Sequence, residues 1–261
     1  MKERIVGAIL LLTILIGSLM LGKIAFSITM LVVAILGYKE LFEIKFNHEK
    51  NNIAVMKLIG YINLINMCLN EFLFKMDIEF VTIIAILSIT IPIIIYNNSE
   101  KYNINDAFFL LGCVLFLGYS FRTVIYTARM DMYQCILIFL IAFTTDTYAY
   151  IGGNLIGKHK LTDISPKKTI EGTIIGTIMG TIVGSVYFNL AIGGHSLLNI
   201  IIICFILTIF SEIGDLVFSS IKRYFNKKDY SNIIIGHGGI LDRFDSLIFV
   251  TLAFIIIIGL L

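Results

Sequence analysis

The sequence predicts an all-α, polytopic integral membrane bundle of about nine transmembrane helices, and three observations lead there. Hydrophobic residues make up 58% of the 261-residue chain and charged residues 15%, far from the balance of a water-soluble domain. Mean hydropathy is +0.93. Apolar runs of roughly 20 residues, the length that crosses a bilayer, recur from one end of the chain to the other with short polar breaks.

The first run, 5–22, follows Met1-Lys2-Glu3-Arg4. A positive start before an apolar run also outlines a cleavable signal, but no soluble domain follows for it to export, so the run reads as an uncleaved first helix. Runs at 24–42, 54–74, 78–96 and 106–126 complete an N-terminal region of transmembrane helices, residues 1–130. Its charges gather in short loops such as Glu43–Asn52 and Asn97–Asn105, as a solvated edge requires, and it carries little sign of chemistry. Runs at 132–152, 172–192, 197–218 and 247–261 form the C-terminal region, residues 131–261, where the catalytic groups and the long polar loops are expected. In the seventh run Gly172, Gly176, Gly180 and Gly184 recur every fourth residue. That spacing strips one helix face of side chains and reads as tight helix packing.

Charge placement orients the bundle. Of the 20 lysines and arginines, Lys23, Lys75, Arg122 and Arg129 fall on one side under the nine-helix reading and all the rest on the other. Positive residues collect on the cytoplasmic side, so the N-terminus and the polar loops of the second half are expected there, in a multi-pass protein of the cytoplasmic membrane. The net charge of +2 is small, and no arginine-rich or aromatic-interleaved patch of the kind that grips nucleic acid is present. Cys68, Cys113, Cys135 and Cys204 fall singly inside apolar runs without CxxC spacing, so neither a disulfide framework nor a zinc site is suggested and they read as small core residues.

The stretch from Ser219 to Asp245, SSIKRYFNKKDYSNIIIGHGGILDRFD, is a polar island between two apolar runs. Charged groups persist at membrane level only where they meet water, one another or a ligand. Glu212 and Asp215 lie three residues apart near the end of the eighth run and share a helix face. Asp242 and Asp245 are again three apart, directly before the last run. If the chain folds back, Asp215, Asp242 and Asp245 converge, and hard oxygen donors of this kind suit magnesium shared with substrate phosphates, with a second metal ion as an extension. Ser219, Lys222 and Arg223 follow Asp215 by one to two turns and read as phosphate ligands, while Lys227 and Lys228 read equally as contacts to anionic headgroups of membrane lipids. His237-Gly238-Gly239 supplies a turn whose N–H groups can reach an anion, next to Arg243. In the loop from Gly152 to Gly172, Ser165-Pro166-Lys167-Lys168-Thr169 leads to Glu171 at the start of a helix. Pro166 and the helix N-terminus aim the two lysines and add their own attraction for anions. The GxxxxGK[ST] pattern is missing, so this is not a P-loop. Acids for metal and lysines for phosphate describe a phosphoryl- or nucleotidyl-transfer site.

These residues resemble the signature of the phosphatidate cytidylyltransferases. Ser219, Lys222, Arg223, Lys228, Asp229, His237, Gly238, Gly239, Asp242, Arg243 and Asp245 fall in register with it, and the likeness runs upstream through Gly214-Asp215-Leu216, the Ser165–Thr169 segment with Glu171-Gly172, the Gly152–Lys158 turn and Asp146. Ile235 stands where the family usually has proline and Ser231 where glycine is common. The resemblance implies condensation of CTP with phosphatidic acid to CDP-diacylglycerol and pyrophosphate, and a homodimer. It implies magnesium on Asp215, Asp242 and Asp245, contacts of His237 with nucleotide or phosphate, and a cavity-lining or lysine-pairing role for Asp146. Two other readings stand beside it. A CTP-dependent lipid kinase, or a cytidylyltransferase for another lipid phosphate, would use similar chemistry. An ion-coupled transporter would also carry membrane carboxylates, but the acids gather at one surface and no inverted repeat relates the halves.

Overall fold

In the computed structural model of the chain, residues 2–46, 53–73, 75–97, 102–233 and 238–258 are described. They form helices α1 (Lys2–Met20), α2 (Lys23–Lys45), α3 (Ala54–Leu73), α4 (Ile78–Thr90), α5 (Pro92–Ile95), α6 (Ile104–Met130), α7 (Met132–Ile156), α8 (Ile170–Tyr187), α9 (Leu197–Tyr224) and α10 (Leu241–Ile258). A π-helical turn, Phe188–Ile192, prolongs α8, and α5 prolongs α4 past Pro92, whose missing N–H interrupts the ladder there. Counted as continuous rods, the described residues hold nine helices, and six apolar stretches are long enough to cross a membrane. The protein is thus an all-α polytopic membrane protein, as its hydropathy predicts.

Two helices run further than their apolar cores. α9 continues through Lys222 and Arg223 to Tyr224, where the cations in the last turn complement the helix dipole. α10 begins at Leu241, so Asp242 and Asp245 sit on its first turns instead of in the loop before it. Reading helix ends from hydropathy alone shortens both, because charge at a helix terminus is favourable and does not stop the helix.

The chain forms two compact units: Met1–Ile125 with Tyr230–Ile240, and Tyr126–Asp229 with Leu241–Leu261. In the first, charges near the helix ends pair with one another. Lys45 lies 3.1 Å from Asp106 and donates to the Asn105 carbonyl at 2.8 Å, while Lys57 reaches Glu43 at 3.5 Å.

The second unit is built on α7, α8, α9 and α10. The glycine face of α8 is buried and lies against α7. A Cβ on Gly172 would stand 2.6 Å from the Ala149 carbonyl oxygen, one on Gly176 2.7 Å from that of Thr145, and one on Gly184 2.9 Å from Ile141. Gly214 does the same for α9 and α10, since its Cβ would meet the Asp245 carbonyl at 2.8 Å and Phe249 at 2.9 Å. The close approach of these backbones brings polar residues of neighbouring helices within reach of one another.

Candidate active site

The loop from Gly157 to Thr169 is folded on itself before α8 starts. Leu161 N–H donates to the Lys168 carbonyl and Ile170 N–H to that of His159, both at 2.9 Å, and Lys168 N–H closes a turn on the Ser165 carbonyl at 3.0 Å. Thr169 caps α8, its hydroxyl accepting from Gly172 N–H at 3.1 Å. These bonds fix the direction of Lys168 between turn and cap. The side chain reaches α9, with Nζ 2.8 Å from Glu212 and 2.9 Å from Asp215. Burial pulls this ammonium down, and the carboxylates of Asp215 and Glu212 overcome that, so its pKa is raised and it stays charged.

Beside this bridge lies a cavity of about 580 Å³ lined by Asp146, Tyr150, Gly153, Asn154, Ser165, Lys167, Lys168, Thr169, Thr173 and Asp215, among others. Asp146, Ser165, Lys167, Lys168, Thr169 and Asp215 are six of the residues singled out in the sequence. Lys167 is exposed and Asp215 keeps 29% of its side chain accessible, so both a cation and a carboxylate are open to a ligand. Asp146 is oriented by α10, where the Ser246 hydroxyl donates to its two oxygens at 2.8 and 3.0 Å. Asp146, Asp215 and Asp245 are electrostatic neighbours.

The other candidates are placed differently. Lys222, 8% exposed, forms a buried ion pair with Asp242 at 2.5 Å and neutralises an acid instead of facing the cavity. Ser219 donates to Asp215 at 3.4 Å. The Arg223 guanidinium donates to the carbonyls of Ile164 at 3.4 Å and Lys227 at 3.1 Å, latching the turn after α9 to the residue before Ser165. Glu171 turns to His159, 2.6 Å from its Nδ1, and accepts from the backbone of Lys158 and His159. Lys228 and Arg243 are exposed. Gly238, with φ +82°, and Gly239 belong to the first unit, where Gly239 packs on Glu40. His237 and Ile235 lie outside the described residues.

Asp245 is an electrostatic neighbour of both Asp215 and Asp242, but among the described residues no group of three or more His, Cys, Asp or Glu side chains is placed to hold an ion. Asp242 is taken by Lys222 and Asp215 is shared with Lys168. Magnesium, however, takes only one or two carboxylates when phosphates and water complete its shell. An accessible Asp215 and a Glu212 whose Oε1 is buried without a hydrogen-bond partner among the described residues fit an ion shared with a phosphorylated substrate, and not a closed protein cage.

Tyr150, Asn154, Thr173, Glu212 and Ser246 join the arrangement without having been counted among the site residues. Four-residue steps could have found some of them. Asp146, Tyr150 and Asn154 mark one face of α7, and Thr169 leads to Thr173. Ser246 gave no such signal.

The chain matches the model of the "Cytidylyltransferase family" over residues 2–261. It is similar to proteins named phosphatidate cytidylyltransferase, at 34% identity over 253 residues in Staphylococcus haemolyticus and 33% over 251 residues in Staphylococcus saprophyticus, with 96% of each chain covered. The protein of that name in Bacillus subtilis is 29% identical over 262 residues, covering 96% of this chain and 94% of its own.

Proposed function

The chain belongs to the cytidylyltransferase family, and from that membership we propose how its residues join CTP to phosphatidic acid, yielding CDP-diacylglycerol and pyrophosphate. It is a membrane nucleotidyltransferase of phospholipid synthesis. Neither a lipid kinase nor a transporter is favoured by the relatives. The observation that carries the assignment of roles is Lys168, charged and held by Glu212 and Asp215 at the wall of a cavity that Lys167 also lines.

An ionised oxygen of the phosphatidate phosphate attacks the α-phosphorus of CTP in line. A P–O bond forms there while the bond to the bridging oxygen of the β-phosphate breaks, and that electron pair departs with pyrophosphate. The nucleophile is already deprotonated at neutral pH, so no general base is needed. Lys167 and Lys168 neutralise the triphosphate and the leaving group, with Ser165 and Thr169 donating hydroxyl hydrogen bonds at the same loop. Lys222 pairs with Asp242 and orients it, Ser219 orients Asp215, and Arg223 keeps the loop closed over the site. Lys228, Arg243, His237 and the Gly238-Gly239 backbone are assigned to the polar headgroup or nucleotide. Magnesium, when bound, would supply charge neutralisation on the phosphates, with the accessible Asp215 as ligand and Glu212 beside it; Asp242 would join them on leaving its pair with Lys222, and Asp245 would be a further ligand or orienting group. A second ion, where one binds, shares these acids. We further propose that the cavity faces the cytoplasm, that surrounding membrane lipids deliver phosphatidate laterally, and that the protein works as a homodimer.

Pyrophosphate release in detergent with CTP, magnesium and phosphatidic acid, each omitted in turn, tests the assignment. Release must require all three. Release that persists without phosphatidate overturns it.

A further inference from the structure

Glu40 lies in the C-terminal part of α2, in the half of the chain whose sequence showed no chemistry, and is 1% exposed. Its Oε1 accepts from the Ser231 hydroxyl at 2.5 Å and from the Ile240 N–H at 2.8 Å. Between these two donors in the chain, Gly239 comes so near that a Cβ there would stand 2.7 Å from both carboxylate oxygens. One buried carboxylate thus bonds Ser231 and Ile240 together, and Gly239 lies against it with no side chain between.

A buried carboxylate is costly unless hydrogen-bonded, and hydrogen bonds to an ionised acceptor are about twice as strong as neutral ones. The two donors, Ser231 and Ile240, belong to no helix or strand, so the acid ties them to α2. Ile240 is followed by Leu241, the first residue of α10, and then by Asp242. Ile240 thus stands two residues before Asp242, the partner of Lys222.

We propose that Glu40 is a positioning residue for the transfer reaction: by anchoring Ser231, Gly239 and Ile240 it fixes the entry of α10 and so the placement of Asp242. It touches no reacting atom. The inference rests on the functional reading above for its activity readout, but the anchoring itself is measurable without it.

The test uses the full-length protein purified in detergent, with the variants Glu40→Gln, Ser231→Ala and the pair combined. Glu40→Gln keeps the shape and removes the charge. The expected result is a kcat lowered about 10- to 100-fold, the scale of a small misplacement of reacting groups, with KM for CTP within about threefold. Amide exchange of a peptide covering 238–246 should rise while one covering 170–187 stays as in the parent protein. Ser231→Ala should lower kcat less, and the loss in the combined variant should fall below the sum of the two single effects, since Ser231→Ala removes one of the two bonds that Glu40→Gln weakens. If Glu40→Gln does not fold, Ser231→Ala carries the test by the same two readouts. Parental kcat in Glu40→Gln, or in Ser231→Ala where Glu40→Gln is lost, overturns the proposal. So does faster exchange spread equally over both peptides. A parent protein that releases no pyrophosphate refutes the functional reading, whereas unchanged exchange at 238–246 refutes the anchoring.

Discussion

Lys168 Nζ stands 2.9 Å from the Asp215 carboxylate, joining the loop before α8 to the middle of α9 by one charge at the cavity wall. The same ammonium holds Glu212 at 2.8 Å, so a single cation organises two acids and remains at the wall of the cavity. Replacing it with methionine removes both functions. Lys168→Met is expected to lower kcat about 10²- to 10³-fold, the range for loss of one preorganised charge-stabilising group. Turnover in reconstituted membranes checks this, and an unchanged rate removes the loop from the site.

The pH dependence of that bridge has a definite sign. The folded pKa of Lys168 lies above its ordinary value of 10.5, so its stabilising contribution is fully present below that value and is lost as pH rises through the folded pKa. The difference in thermal midpoint between the parent protein and Lys168→Met should stay constant from about pH 7 to 10 and shrink only above the ordinary lysine value. Shrinkage already at neutral pH would show that Asp215 and Glu212 do not hold the ammonium.

Lys222 and Asp242 form the most buried of the ion pairs in the second unit, with 10% and 5% of their side chains exposed. Removing one partner strands the other, which costs about 3–5 kcal/mol. Lys222→Met alone should therefore unfold at a markedly lower temperature in detergent. Lys222→Met with Asp242→Asn should recover most of the loss while remaining inactive. Equal midpoints for the single and double variants would show that the pair is not buried in the folded protein.

Glycine at position 176 leaves no room for a side chain, because its Cβ would press on the Thr145 carbonyl of α7 at 2.7 Å. Gly176→Ala should destabilise by about 1–3 kcal/mol, the cost of overpacking against a backbone that cannot yield. Gly112 in α6 has nothing within 4 Å of its Cβ. Gly112→Ala should instead be neutral or gain up to about 1 kcal/mol from helix propensity. Thermal midpoints of the two variants give the comparison directly.

Spans are readable in this sequence because hydropathy reports what lipid requires, and the π-turn and the Pro92 break leave that signal intact. Helix ends are less readable, since Lys222, Arg223, Asp242 and Asp245 are polar yet helical. The loop lysines could be singled out by their position between Pro166 and a helix start. What no single sequence discloses is pairing across distance. Nothing local ties Lys168 to residues 44 and 47 positions later, or Ser246 to Asp146. Nothing local marks Glu40 as the acceptor for a segment some 200 positions away. The three aspartates also show the limit of spacing arguments, since two of them have lysines as partners in the fold.

The central claim, cytidylyl transfer onto phosphatidate, is tested most directly by following a label in the cytosine ring of CTP. With purified protein, magnesium and phosphatidic acid, the label should enter the lipid fraction in step with pyrophosphate release, and Asp215→Asn should abolish both. Phosphorylated lipid without cytosine label, or label entering the lipid at the parental rate in Asp215→Asn, would contradict the account.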